Sequence, residues 1–269
     1  MEYRVKITFL AENRAEPPFA AEHGLAMLLE YRGSAILFDT GAGGVFEHNC
    51  RLLGIDPGRF DLVVLSHGHN DHTGGIAGIE AGRVYFAPGI ARRRFSLHPG
   101  RPPRELSMPA AGIYAAMRGG RGSVVASPRE IAAGVWLTGP IPRHSGEDCG
   151  GPFFFDREGR HPDQIVDEQA LVFDCGVVVT GCCHAGIINT LEWCGRFRPE
   201  IRIHTVVGGL HLRDAGEDRL EKTASELRRR GVRRVIVGHC TGDAAVERLR
   251  GWLPECGITV PAAGEDFRL

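Results

Sequence analysis

The sequence predicts a layered α/β fold, in which sheets are covered on their outer faces by helices. Short apolar bursts, many of them β-branched, recur along the chain and are bounded by Gly, Pro, Asp or Asn, as strands are. In roughly the last hundred residues helical patterns lie between these bursts, so that strand and helix alternate. The chain has 269 residues, 43% of them hydrophobic, and we expect one domain over residues 1–269 with a single sizeable core.

Ten segments carry the strand pattern. In chain order they are residues 5–10, 26–30, 35–38, 62–65, 84–86, 135–138, 170–173, 177–180, 204–207 and 234–237. Three segments carry the helical pattern, at residues 187–196, 219–230 and 243–253. The second of these places Leu220 and Leu227 among charged residues, which predicts an amphipathic helix on the surface.

The stretch from about residue 88 to 151 differs from the rest because it is rich in Pro, Gly and Arg. It includes Arg92, Arg93, Arg94, Arg101 and Arg104. Insertions this long are often lids or partly disordered loops. Two interpretations stay open: a solvated surface insertion, or a basic lid in which Arg92, Arg93 and Arg94 bind an anionic substrate.

Composition argues against several classes of partner. The chain has 32 Lys and Arg against 33 Asp and Glu, a net charge of -1, so we expect neither nucleic-acid nor membrane binding. The opening MEYRVKITFL is typical of a strand rather than a signal peptide, and no apolar run reaches the roughly 18 residues of a membrane span. The eight cysteines form no CxxC pair, and we expect reduced thiols in a cytoplasmic protein. A homo-oligomer is compatible with the sequence, which does not fix the oligomeric state.

The strongest functional signal is a run of possible metal ligands after the fourth predicted strand. His67, His69, Asp71 and His72 fall within six residues, and Gly68 allows the backbone to fold closely around them. Imidazole nitrogens and carboxylate oxygens are good ligands for zinc and similar divalent ions. His67 and His69 are two apart, so an extended segment points both the same way, whereas Asp71 and His72 can face a second ion. The run therefore predicts a metal site.

These residues also carry a family resemblance. The pattern His-x-His-x-Asp-His at the end of a strand resembles the signature of the metallo-β-lactamase superfamily, and Asp39-Thr40-Gly41 resembles its upstream Asp-Thr-Gly element. The resemblance implies a four-layer αββα sandwich with two metal ions at one edge of the sheets. Divalent zinc is the first expectation for both ions, with iron or manganese as alternatives.

Further motifs narrow the resemblance to one branch. They are Leu53-Gly-Ile-Asp56, Asp167-Glu-Gln-Ala-Leu171, Gly181-Cys-Cys-His184-Ala-Gly-Ile-Ile-Asn189, Gly208-Gly-Leu-His211-Leu and Gly238-His239-Cys-Thr-Gly242. Together with the metal run they resemble the 7,8-dihydropterin-6-methyl-4-(β-D-ribofuranosyl)aminobenzene-5'-phosphate synthases. That branch implies a condensation between a dihydropterin and a ribosylated aminobenzene phosphate.

Three distant histidines each follow a predicted strand, where sites of layered α/β folds gather. We expect His184 and His239 to be metal ligands, because a metal site needs distant ligands to close, and His239 matches the last histidine ligand of the superfamily. His211 is a ligand, a proton carrier or a substrate contact, and we favour substrate contact or acid catalysis. Asp39 is expected to orient a metal-binding histidine from behind.

One departure from the superfamily pattern leaves the second metal's ligands open. Many members carry a bridging Asp after Thr-Gly, where this chain has Cys182 after Thr180-Gly181. Either His184 replaces that carboxylate or Cys182 ligates, and a sulfur ligand favours zinc. His144 and His161 are weaker candidates for the usual third histidine. Asp167 and Glu168 either lie near the site or simply open a strand.

The sequence thus predicts metal-dependent hydrolysis of a small, anionic and most plausibly phosphorylated metabolite. A water activated by two ions attacks phosphorus or a carbonyl, while Asp71 holds one ion and orients the nucleophile. No Gly-x-Ser-x-Gly, phosphate-binding or dinucleotide-binding motif offers another chemistry. The alternatives are the transferase-like condensation and, in a different class, a non-catalytic metal-binding or di-iron redox protein.

Overall fold

Two seven-stranded sheets face each other at the centre of the computed structural model, which describes residues 4–147 and 151–269. The strands of the first sheet are β1 (Lys6–Ala11), β2 (Ala26–Tyr31), β3 (Ser34–Phe38), β4 (Arg59–Val64), β5 (Glu80–Phe86), β8 (Gly122–Val124) and β17 (Asp266–Arg268). Their spatial order is β17-β1-β2-β3-β4-β5-β8, antiparallel as far as β3 and parallel from β3 onward.

The second sheet repeats this plan. Its strands are β9 (Arg129–Ala132), β10 (Val135–Leu137), β12 (Leu171–Phe173), β13 (Val177–Val179), β14 (Thr205–Gly208), β15 (Arg234–Val237) and β16 (Gly257–Thr259). They lie in the order β16-β15-β14-β13-β12-β10-β9, and the four from β13 to β16 are parallel. A small third sheet joins β11 (Phe153–Phe154), β6 (Phe95–Ser96) and β7 (Arg104–Glu105).

Helices cover the outer faces of both sheets. They are α1 (Phe46–Leu52), α2 (Asn70–Thr73), α3 (Ala110–Met117), α4 (Ile187–Phe197), α5 (Glu217–Arg230) and α6 (Asp243–Trp252), with 3-10 turns at Gly74–Gly78 and Arg118–Gly120. One core lies between the sheets; a second packs α1 and α3 on the first sheet, and a third packs α4, α5 and α6 on the second. The predicted four-layer αββα sandwich is confirmed.

Alternation along the strands explains the layers. In β13, Val177 and Val179 enter the core between the sheets, whereas Val178 faces the outer helices. Successive side chains of a strand point to opposite faces, so a strand buried on both faces is apolar throughout. The predicted surface helix α5 buries Leu220 and Leu227 and ends at Gly231, whose φ of 72° is the left-handed conformation that favours glycine.

The stretch from 88 to 151 is not one insertion, which corrects the sequence-based boundary. It contains helix α3, strand β8 of the first sheet and strands β9 and β10 of the second. Among the described residues of this stretch, the strands that stand outside the two main sheets are β6 and β7 of the small sheet. Within the described residues no helix is long and apolar enough to cross a membrane. Cys50, Cys175, Cys182, Cys194, Cys240 and Cys256 are thiols, and Cys149 lies outside the described residues.

Candidate metal centre

The predicted ligands meet at one edge of the sandwich, where parallel strands of both sheets end. Asp39 follows β3 and the run His67 to His72 follows β4, in the first sheet. In the second sheet His184, His211 and His239 follow β13, β14 and β15. Because parallel strands point the same way, their carboxyl ends bring these segments together although the chain separates them widely.

The first group of ligands is His67, His69 and His184. Their ligand atoms lie within 4.8 Å of one another, and all three side chains are buried. His67 Nε2 and His69 Nδ1 are 3.0 Å apart. Ring centroids of His67 and His184 are 4.9 Å apart, and those of His69 and His184 are 5.0 Å apart. This arrangement suits three histidine ligands on one ion.

A second group forms around His72, His239 and Asp71. The Nε2 atoms of His72 and His239 are 3.1 Å apart, and Asp71 Oδ2 lies 3.7 Å from His239 Nε2. His23 joins them, since its Nε2 is 3.3 Å from Asp71 Oδ2 and its ring stacks on His239 with centroids 5.1 Å apart. No sequence pattern singles out His23, which is an isolated histidine in a loop and lies far from the metal run along the chain.

The hydrogen bonds around His72 and His239 define which nitrogens carry protons. His72 Nδ1 is 2.7 Å from the Asp39 carboxylate, so it donates, and Nε2 keeps a lone pair in the neutral ring. Asn13 donates its amide N–H to the His239 carbonyl, so its Oδ1 accepts from His239 Nδ1 at 3.1 Å. His239 Nε2 therefore also carries a lone pair. Two lone pairs 3.1 Å apart require a proton or a cation between them.

Cys182 stands between the two groups. Its Sγ is 3.2 Å from His72 Nε2, and it lies within 4.8 Å of ligand atoms of His67, His184, His211 and His239. Cys240, which the sequence analysis did not select, is part of the same cluster as Cys182 and His239. Its place beside His239 in the chain was the available signal.

Buried carboxylates support the ligands from behind. Asp39 accepts from His72 Nδ1 and also from the backbone N–H and hydroxyl of Ser66, each at 2.7 Å. Ser66 in turn lies 2.9 Å from His67 Nδ1, which leaves His67 Nε2 directed at the first group. Asp39 thus orients His72 directly and His67 through Ser66, the kind of role expected for it.

Burial and charge set the protonation of the ligands. Burial and neighbouring histidines hold the pKa of His67 and of His239 well below the usual value, so both rings are neutral. Burial opposes charge on His72 too, but Asp39 and Asp71 raise the pKa of His72 to about 9. Burial would raise the pKa of Asp71, but His72, His239 and His23 lower it. His72 therefore carries a proton near neutral pH when no cation is present, and a metal ion would displace that proton, because neutral imidazoles and ionised carboxylates are the forms that bind metals.

A cavity of about 310 Å³ opens over the centre. One side is basic, with Arg104, Arg213 and Arg219, and the small sheet contributes Phe153 to another. The Phe153 ring lies 5.0 Å from the His69 ring, measured between centroids. His211 lines the same cavity, and its ring centroid is 4.2 Å from that of His184. The cavity can therefore hold a small ligand in contact with the ligand histidines.

The predicted substrate arginines lie elsewhere. In the part of the chain that the structure describes, Arg92, Arg93 and Arg94 do not line this cavity. Arg94 is 1% exposed and forms ion pairs with Asp163 and Asp167, Arg93 pairs with Glu105, and Arg92 lies over the Phe155 ring. The three arginine side chains therefore interact with acids and an aromatic ring of the protein itself.

The two weaker histidine candidates are also outside the centre. His144 is exposed, and its backbone N–H donates to Asn189. His161 has a side chain 72% exposed and pairs with Asp156. His184 takes the position beside His67 and His69 instead.

Fold and side chains together define a class of protein, the αββα sandwiches with a histidine-rich metal site where their two sheets end. Residues 21–161 match the family model described as the metallo-beta-lactamase superfamily. The chain belongs to the metallo-β-lactamase superfamily.

Individual relatives narrow the comparison. The 7,8-dihydropterin-6-methyl-4-(beta-D-ribofuranosyl)-aminobenzene-5'-phosphate synthase of Methanocaldococcus jannaschii is 30% identical over 267 residues, covering 90% of this chain and 89% of the relative. The solved structure of a metal-dependent hydrolase of the beta-lactamase superfamily is also 30% identical, with a TM-score of 0.84 over 98% of this chain and 99% of that one. Both resemblances predicted from the motifs are confirmed.

A more distant structure shares the fold alone. The Zn²⁺-bound PqqB of Methylobacterium extorquens is 12% identical, with a TM-score of 0.55 over 98% of this chain and 100% of that one.

Proposed function

We propose that this protein is a metal-dependent hydrolase that binds two divalent ions, zinc in the first place, and acts on a small phosphorylated metabolite. The observation that carries the proposal is the approach of His72 Nε2 and His239 Nε2 to 3.1 Å in a buried site, where one proton or a cation must lie between them. A buried proton between them is one solution, and a divalent cation that draws on both nitrogens is the other. The surrounding residues favour the cation.

The donor set fits two ions. His67, His69 and His184 offer three nitrogens, and His72, His239 and Asp71 offer two nitrogens and a carboxylate, with Cys182 between the groups. His69 Nε2 and His211 Nδ1 are buried without a hydrogen-bond partner among the described residues. Three protein ligands per ion leave positions open, as in catalytic rather than structural zinc sites. Iron or manganese fits the nitrogen and oxygen ligands, whereas a Cys182 ligand favours zinc.

Bound divalent ions supply Lewis acidity, which makes water a nucleophile near neutral pH and stabilises negative charge in the transition state. The chain supplies the rest. Asp71 faces the cavity with an ionised carboxylate that orients the attacking water. His211, in the cavity wall beside His184, is placed to give a proton to the leaving group. Phe153 covers the ligand rings and keeps bulk water from them.

The basic wall indicates an anionic substrate. Arg104 approaches the cavity from β7 of the small sheet, Arg213 from the segment after β14 and Arg219 from the first turn of α5. Guanidinium groups bind phosphate through paired hydrogen bonds. The volume of about 310 Å³ suits a small molecule and is at the lower end of ordinary ligand pockets. These arginines replace Arg92, Arg93 and Arg94 as the proposed substrate contacts.

Metal content and turnover of one preparation test the proposal. Protein purified without added metal should hold close to two transition-metal ions per chain and hydrolyse p-nitrophenyl phosphate faster than neutral p-nitrophenyl acetate, relative to the free reaction. His69→Ala should lose metal and turnover, and the matched control His161→Ala, at an exposed histidine, should keep both. A folded protein that holds no metal and takes up none from added zinc, manganese or iron would refute the proposal.

A second candidate is a condensation that yields a phosphorylated pterin adduct. It is favoured by the 30% identity to the M. jannaschii synthase over 90% of this chain. The same centre would then activate a leaving group of a dihydropterin, while the arginines hold a ribofuranosylaminobenzene phosphate. Mass spectrometry after incubation with both substrates distinguishes the candidates. Condensation gives a joined pterin adduct and the released leaving group, whereas hydrolysis never joins the two substrates.

A further inference from the structure

We propose that two pairs of neighbouring residues, Asp167–Glu168 and Glu12–Asn13, are separate clamps, each positioning the ligands of one metal ion. The inference rests on the proposed two-ion centre. Neither pair touches an ion: both act on the backbone or the outer ring nitrogen of ligands. A positioning role of this kind follows from what each pair binds.

The first clamp holds all three ligands of the first group. Asp167 Oδ2 accepts the backbone N–H of Gly68, between His67 and His69, at 2.9 Å. Glu168 accepts the N–H of His184 at 2.6 Å and that of Ala185 at 2.5 Å. Both acids are buried, so these hydrogen bonds are not shared with water.

Neighbours fix the first clamp in turn. Arg94 Nη2 donates to Asp167 Oδ1 at 2.6 Å, which keeps the other carboxylate oxygen directed at Gly68. Gln169 donates its backbone N–H to Ser66 and its side-chain amide to Leu65, each at 2.9 Å. The segment from 167 to 169 is therefore attached along the whole approach to the metal run.

The second clamp holds His239 from three sides. Glu12 accepts the His239 backbone N–H, Asn13 donates to the His239 carbonyl at 3.0 Å, and Asn13 Oδ1 accepts from His239 Nδ1 at 3.1 Å. His239 has a φ of 49°, a conformation that residues other than glycine rarely adopt. Such a conformation persists only when its surroundings enforce it, and Glu12 and Asn13 supply those contacts.

Both clamps cross from one sheet to the other. Asp167 and Glu168 precede β12 of the second sheet, yet Asp167 binds the run after β4 of the first. Glu12 and Asn13 follow β1 of the first sheet and bind His239, which follows β15 of the second. The two clamps share no residue and no ligand. Loosening one clamp should therefore weaken the binding of one metal ion and leave the binding of the other nearly unchanged.

Crossed zinc titrations in single-ion backgrounds test this. His239→Ala retains the first group and His184→Ala retains the second, and zinc affinity is measured in each by competition with a chromophoric chelator. Glu168→Gln should lower the zinc affinity of the His239→Ala protein by roughly 10–100-fold, which is the usual effect of losing a contact that supports a metal ligand. Glu12→Gln should do the same in the His184→Ala background. Each should change zinc affinity less than about threefold in the other background, which is ~0.7 kcal/mol.

A matched control separates positioning from general destabilisation. Glu226→Gln removes another buried acid, which pairs with Arg229 and Arg230 on α5 away from the centre, and should leave both affinities unchanged. If Glu168→Gln or Glu12→Gln does not fold, as judged by circular dichroism, Asp167→Asn or Asn13→Ala takes its place with the same expected result.

The outcomes distinguish this inference from the proposed function. Selective loss in the matching background supports the clamps. Equal loss in both backgrounds, or loss in neither, overturns them while the two-ion centre stands. A wild-type protein that binds none of zinc, iron and manganese overturns both.

Discussion

Replacing Arg94 should lower the free energy of unfolding by a large amount. From the sequence alone Arg94 looks like a surface arginine in a basic run. Arg94 is 1% exposed and its guanidinium lies 2.6 Å from Asp167 Oδ1 and 3.3 Å from Asp163 Oδ2, two carboxylates whose side chains are 0% exposed. Arg94→Met keeps an apolar stem but leaves both acids buried without a cation. Breaking such a network costs about 3–5 kcal/mol. That is a large part of the ~5–15 kcal/mol by which domains are stable.

Urea denaturation with Arg92→Gln and Arg93→Gln as controls measures the effect. The Arg93 side chain is 65% exposed and pairs with an exposed Glu105, so its loss should change the free energy of unfolding by less than ~0.5 kcal/mol. The Michaelis constant for a phosphorylated substrate should not change in either control. If Arg94→Met lost less than ~1 kcal/mol while the controls raised that constant selectively, the basic-lid interpretation would be right.

Three further changes have defined outcomes. Arg104→Gln should raise the Michaelis constant for a phosphorylated substrate roughly tenfold and leave that for a neutral one unchanged, since a charge-assisted contact contributes ~1.5–3 kcal/mol; equal changes for both substrates contradict it. Asp71→Ala should abolish turnover with an unchanged circular dichroism spectrum, and an active variant would remove Asp71 from the mechanism. Burial, opposed by Arg94, raises the pKa of Asp163, so its contribution to stability is complete below the ordinary value of 3.8 and is lost as the pH rises through the raised value. Asp163→Asn should therefore flatten the fall in unfolding free energy above about pH 4 in urea titrations, and parallel curves for the two proteins speak against it.

Local patterns predicted most of the fold. All ten predicted strands and all three predicted helices overlap elements of the structure, because alternation and helical periodicity are properties of neighbouring residues. Helix α3 was missed because its sequence, AAGIYAAM, is apolar almost throughout and shows no polar face. The supposed insertion failed for a related reason: its strands β8 and β9 are three and four residues long and carry little pattern.

The candidate site also contains some residues that the sequence predicts and others that it does not. The run from His67 to His72 was predicted because four possible metal ligands fall within six residues. His184 and His239 were predicted because each follows a predicted strand, and both signals are local features of the sequence. Which arginine meets which acid is not readable, since Arg94 pairs with residues about 70 positions later. His23 was missed because only folding brings it to the ligands, whereas the position of Cys240 next to His239 was a signal that the sequence did contain.

The metal ligands also have a mechanical consequence. One set of candidate ligands follows a strand of the first sheet: His67, His69, Asp71 and His72. His184 and His239 follow strands of the second sheet, so ions bound here would link the two halves of the sandwich along this edge. A ligand that binds only the folded state raises its stability by mass action. Metal supply would then govern how firmly the halves stay docked as well as whether the centre works.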